Sequence, residues 1–156
     1  VRYSALDNPQ VAADVATRLR TSSTYGERLD RWAALLEKHR DCALDLLTRT
    51  EFVSASVRVS LRERRSPVSI AFADPELRAQ GLAGETYGDA YEFFGLSHGT
   101  LHDIVCHCHY WSGKVTAAEV APRVRRAAMR AQRLDGFLSA VGLRGRLPVS
   151  LNRIFV

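Results

Sequence analysis

Apolar positions along the chain switch between two spacings. In "DNPQVAADVATRLR", Val11, Val15 and Leu19 recur at helical intervals behind Asn8 as N-cap and Pro9 at the first helical position, predicting a helix over about 9–20. The polar "TSST" ends it. In "TYGERLDRWAALLEKHRDCALDLLTRT", Thr24 and Glu27 are spaced as a capping box. Leu29, Trp32, Leu36, Ala43 and Leu46 then follow at threes and fours, predicting a long helix over about 25–48. His39 falls on that apolar stripe, and Cys42 one turn later.

The period then drops to two. Val53, Ala55, Val57, Val59 and Leu61 alternate with polar residues, and Val68, Ile70 and Phe72 alternate again in "PVSIAFA". Successive side chains of a strand point to opposite faces, so this pattern predicts a β-hairpin over 53–73. Asp74-Pro75 opens a short helix to about Gln80. "GLAGETYG" reads as a connection, "DAYEFFGL" as a short helix, and "SHGTLHDIVCHCH" as another with Ser97 as N-cap and Leu101, Ile104 and Val105 inward. Thr116 and Glu119 are spaced as a second capping box, ahead of a helix of about 117–135 with Val120, Val124, Ala127, Ala131, Leu134 and Leu138 on one stripe. Pro122, inside the first turns, is expected to kink it. "GLRGRLPVSLNRIFV" reads as irregular. The expected fold is α+β, mainly α-helical: a bundle of about five or six helices with one β-hairpin, in a single domain over 1–156.

Composition adds a location for the charge. The chain has 46% apolar and 25% charged residues, the balance of a globular protein. No apolar run approaches the roughly 20 residues that span a bilayer, and the start lacks the pattern of a signal peptide, so the default expectation is a cytoplasmic protein. From Glu119 onward eight Arg stand against Glu119 and Asp135; the net charge of +5 therefore belongs to the C-terminal quarter, and residues 1–118 sum to −1. That asymmetry points to an acidic partner: nucleic acid, an acidic protein or a membrane surface.

Three Cys and five His supply the candidate chemistry. An odd Cys count in a chain of this length argues for reduced thiols or metal ligands over a disulfide framework. His39 and Cys42 are spaced i, i+3, and His102 and Cys106 i, i+4; each spacing puts two side chains on one helix face. If the two helices pack antiparallel, the four would form a Cys2His2 zinc site, with Cys108 and His109 as further candidates. The plain alternative is a buried thiol and a core histidine. A dithiol redox pair at Cys106 and Cys108 lacks the C-x-x-C spacing and the helix N-terminus that lower a thiol pKa.

"AYEFFGLSHGTLHDIV" resembles the helix-turn-helix of bacterial DNA-binding proteins through Gly95, Leu96, Ser97, Thr100 and Leu101. The resemblance covers about sixteen residues and implies that Ser97, His98, Thr100 and His102 face the major groove. It departs from the pattern at Tyr91, where a small residue is expected. The second helix also carries no Arg or Lys for phosphate contacts. Two short helices joined by a Gly turn are the simpler reading.

Arg123, Arg126, Arg130 and Arg133 share one face of the C-terminal helix at three-four-three spacing. No nucleotide-binding, nucleophile-elbow or paired-carboxylate motif appears. The sequence therefore reads as a small, bacterial-type, non-enzymatic binding or regulatory domain that engages an acidic partner through these four Arg, with a zinc protein as the alternative. A homo-oligomer with Trp32, Trp111 or Phe155 at its interface is a third expectation.

Overall fold

In the computed structural model of the chain, residues 23–46 and 65–140 are described. The expected helix over 9–20, the first strand of the expected hairpin, the segment after 141 and Phe155 lie outside them. The described residues form α1 (Tyr25–Lys38), β1 (Ala43–Leu44), α2 (Pro67–Ala73), α3 (Pro75–Ala79), α4 (Tyr87–Phe94), α5 (His98–Val105), a 3-10 turn (His107–His109), β2 (Val115–Thr116) and α6 (Ala117–Ala140). The architecture is α+β and mainly helical, with one two-stranded antiparallel pair among the described residues. Among the described residues no helix is long and apolar enough to cross a membrane.

The centre is α1 against α6. Leu29, Trp32, Ala33 and Leu36 of α1 are buried, as are Val120, Val124, Ala127 and Ala131 of α6. The small Ala residues let the two helices lie close. At Gly26 the approach is tightest: a Cβ there would sit 2.7 Å from Gln132 Cγ and 3.1 Å from its backbone nitrogen. Trp32 is fully buried, stacks on Phe94 with centroids 4.5 Å apart, and donates from Nε1 to the Pro67 carbonyl at 2.9 Å. It belongs to the core, and so is not the interface residue the sequence suggested; a buried indole needs an acceptor, and α2 supplies one.

Local caps set most helix starts. Thr24 and Glu27 close a full capping box on α1, and Glu119 accepts from the Thr116 N–H at 2.8 Å ahead of α6. Asp74 accepts from the N–H groups of Glu76 and Leu77 and is gripped by Arg31 through two 3.0 Å bonds. Burial pushes the Asp74 carboxyl up, but the Arg31 fork and the Leu77 and Glu76 N–H groups outweigh it and hold it below the usual carboxylate range.

Two expectations are corrected. The helix begun at Tyr25 stops at Lys38, not near 48, with His39 as its C-cap. Residues 40–44 leave the helix because they have distant partners. The Arg40 and Cys42 carbonyls accept from the first N–H groups of α6, at Ala118 and Ala117, and β1 pairs with β2, Ala43 opposite Thr116 and Leu44 opposite Val115. The antiparallel pair is thus long-range and lies away from 53–73. "PVSIAFA", expected as a strand, is the helix α2: Ser66 caps it by accepting from the Ser69 N–H at 3.0 Å, Pro67 occupies the first turn, and Val68 and Ala71 face the core at helical spacing. Pro122 lies inside α6, whose helical residues run from Ala117 to Ala140.

Candidate functional site

The α4–α5 unit presents one side of the molecule against α6. Thr86 and Asp89 close a capping box at the start of α4, a signal visible in "TYGD". Gly95 ends α4 in the left-handed region at φ 61°, where a side chain would be strained. Ser97 then caps α5, accepting from the Thr100 N–H at 3.2 Å. These are the two short helices and the Gly turn of the resemblance. Tyr91, the bulky departure from the pattern, stacks on His98 at 4.0 Å, and the Tyr87 hydroxyl donates to the His98 carbonyl at 3.1 Å. His98 is exposed, with one face of its ring laid against α4.

Past Val105 the backbone of Cys106 turns extended (φ −98°, ψ 134°) and the 3-10 turn of His107–His109 follows. Cys106 points into the core at 4% exposure. His39 is exposed at the end of α1, and the Cys42 sulfur accepts from Arg65 at 3.1 Å. The proposed quartet of His39, Cys42, His102 and Cys106 does not converge. Among the described residues, the group of His, Cys or acidic side chains whose ligand atoms all lie within 4.8 Å of one another is His102, Cys108 and His109. The spacing argument fails at both ends for one reason: it needs continuous helix, and helix stops before Cys42 and before Cys106.

The Arg row splits. On a helical wheel Arg123 lies about 40° from Ala127, nearest the buried stripe, and it turns inward. Its Nη1 bonds Asp103 through the carbonyl at 3.0 Å and the carboxylate at 2.5 Å, its Nη2 donates to the His109 carbonyl at 2.6 Å, and its guanidinium lies 4.2 Å over the Tyr110 ring. Arg123 therefore staples the α5–turn segment to α6. Tyr110 completes the staple by donating to the Ile104 carbonyl at 2.7 Å; burial, first among the causes, drives its phenol pKa far up, so it remains a donor. Arg125 pairs with Asp30 and Glu37 of α1. Arg126, Arg130 and Arg133 are exposed and make no ion pair with a described residue.

Arg126 and Arg130 line a cleft of about 430 Å³ with Gly99, Thr100 and Asp103 at the start and middle of α5. A second cleft, about 610 Å³, runs beside Arg28, Gln80 and Tyr91. Its polar groups are already used: Arg28 donates to the Phe93 carbonyl at 2.9 Å, and Asp89 serves the α4 cap. The first cleft is lined by Arg126 and Arg130, which have no ion-pair partner among the described residues. No family model, curated protein or solved structure matches the chain.

Proposed function

We propose that this chain is a binding or regulatory domain that engages an acidic partner, nucleic acid or acidic protein, through Arg126, Arg130 and Arg133. The observation that carries the reading is that these three guanidinium groups stand exposed on one face of a continuous helix without an ion pair among the described residues, while Arg123 and Arg125 beside them are fully engaged.

The spacing suits a repeating anion. Arg126 to Arg130 is about 6 Å along the helix axis and Arg130 to Arg133 about 4.5 Å, at 1.5 Å per residue. Guanidinium groups grip phosphate or carboxylate through paired N–H donors. Thr100, at the mouth of the same cleft, adds a hydroxyl. The test is fluorescence anisotropy of the full chain with labelled duplex DNA and with labelled polyglutamate at low salt. The wild-type chain binds at least one of them, and the R126Q/R130Q/R133Q variant loses most of that affinity. A triple variant that binds as the wild type does, or a wild-type chain that binds neither probe, ends the proposal.

A further inference from the structure

The 3-10 turn carries chemistry that an acid-binding face does not use. His102 Nδ1 and His109 Nε2 lie 2.8 Å apart, with the two rings nearly perpendicular at 86° and the Cys108 sulfur beside them. We propose that His102, Cys108 and His109 bind a zinc ion, with water at the fourth position.

Three features of the structure carry this. The first is convergence from two elements. His102 comes from α5, Cys108 and His109 from the turn, and the two ring nitrogens aim at one another. Two neutral imidazoles share a single proton across such a contact, so one lone pair always faces a proton that a cation would replace with a bond. In tetrahedral zinc, bonds of about 2.0–2.1 Å to nitrogen place two imidazole donors about 3.3 Å apart. The rings must separate by roughly half an ångström, a small rotation for side chains at the surface.

The second feature is the rigidity of the backbone beneath the ligands. Arg123 holds the His109 carbonyl at 2.6 Å, the Tyr110 N–H bonds the His107 carbonyl at 3.0 Å, and Tyr110 is tied by its hydroxyl to α5. The turn is fixed at both its carbonyl and its exit, so ordering it adds little to the cost of binding. The third feature is a carboxylate behind a ligand. Asp103 Oδ1 lies 3.8 Å from His109 Nδ1. At that distance the two are not hydrogen-bonded, but the negative charge favours the proton on Nδ1 and leaves the Nε2 lone pair for the metal, and closing by about an ångström would give the carboxylate–imidazole pairing found behind ligating histidines. Arg123 holds Asp103 in place.

Two imidazoles and a thiolate form a borderline-soft set, which suits zinc over magnesium or calcium. On binding, a zinc–sulfur bond forms and the Cys108 thiol proton leaves to solvent; the imidazoles only exchange tautomers. Three protein ligands at a surface leave the fourth position to water or to an anionic group from outside the chain.

The experiment uses the full chain, reduced and stripped with chelator. Zinc titration by calorimetry gives one ion per chain. Cobalt gives a thiolate-to-metal charge-transfer band that disappears in Cys108→Ser and persists in Cys42→Ser. His102→Ala and His109→Ala each weaken zinc on the order of tenfold or more, and Asp103→Asn about tenfold, as expected for the partner behind a ligand. In the wild-type chain, which avoids any question of variant folding, zinc slows alkylation of Cys108 as read by peptide mass spectrometry. Absence of stoichiometric binding, unchanged Cys108 alkylation, or a charge-transfer band that survives Cys108→Ser and vanishes in Cys106→Ser or Cys42→Ser overturns the proposal. The result is independent of whether the Arg face binds an acidic partner.

Discussion

Replacing Arg123 with Ala separates the structural Arg from the three outside it. Arg123 makes charge-assisted bonds to two backbone carbonyls, of Asp103 and His109, and lies over the Tyr110 ring with its side chain 20% exposed. Hydrogen bonds with a charged partner contribute about 1.5–3 kcal/mol each. The ring contact adds about 0.5–1 kcal/mol. The ion pair with Asp103 adds little, because that carboxylate is 44% exposed. The His109 carbonyl regains water when the guanidinium leaves, which removes part of the loss. The net expectation is a destabilisation of about 2–3 kcal/mol for Arg123→Ala. For Arg126→Ala, Arg130→Ala or Arg133→Ala it is within about 0.5 kcal/mol, with a slight gain from relieved like-charge repulsion. Urea unfolding at neutral pH, followed by circular dichroism, gives the midpoints, with m unchanged. Equal midpoints for Arg123→Ala and Arg126→Ala would refute the division of the Arg row.

Trp32→Phe removes the donor to the Pro67 carbonyl in a dry site and should lower stability by about 1–3 kcal/mol; a loss under about 0.5 kcal/mol would contradict the buried bond. Gly26→Ala should destabilise by about 1 kcal/mol or more despite the better helix propensity of Ala, because its Cβ meets Gln132, and Gln132→Ala should recover part of that loss in the double variant. Asp74, held below the usual carboxylate range, contributes stability that is full above its unfolded pKa near 3.9 and is lost as pH falls through its lower folded value. Asp74→Asn should therefore lower stability at pH 7 and flatten the acid limb of a stability–pH curve; an unchanged limb would show that the Arg31 fork does not supply it.

The parts of this fold that were legible in the sequence were those decided within one helical turn. Thr24 with Glu27, Thr116 with Glu119, Asp74-Pro75 and Ser97 each announce a helix start by satisfying N–H groups two or three residues away, and the structure uses all of them. The α6 stripe was legible for the same reason, since 3.6-residue periodicity is a local property. The end of α1 was not, because the carbonyls of Arg40 and Cys42 are claimed by N–H groups more than seventy residues away. The α2 segment misled because alternation over a few residues fits either element, and the Ser66-Pro67 cap decides it.

The candidate site follows the same division. Three-four-three spacing places four Arg along one side of α6, but the partners that withdraw Arg123, at Asp103 and His109, come from other elements. The His102–Cys106 pairing assumed that helix continues to Cys106. The chain instead turns extended there, burying that thiol and bringing the next thiol, Cys108, and His109 back toward His102.

Whether Arg126, Arg130 and Arg133 meet an acidic partner is decided by the salt dependence of duplex DNA binding in the wild-type chain and in R126Q/R130Q/R133Q. Each phosphate neutralised contributes about −0.9 to the slope of log K against log salt. Removing the three Arg should make the slope shallower by about 2.7 while the unfolding free energy stays within about 0.5 kcal/mol of wild type. If DNA is not the partner, polyglutamate in place of the duplex should show the same loss of salt dependence in the variant. A wild-type slope retained by the triple variant on whichever polyanion binds would contradict it.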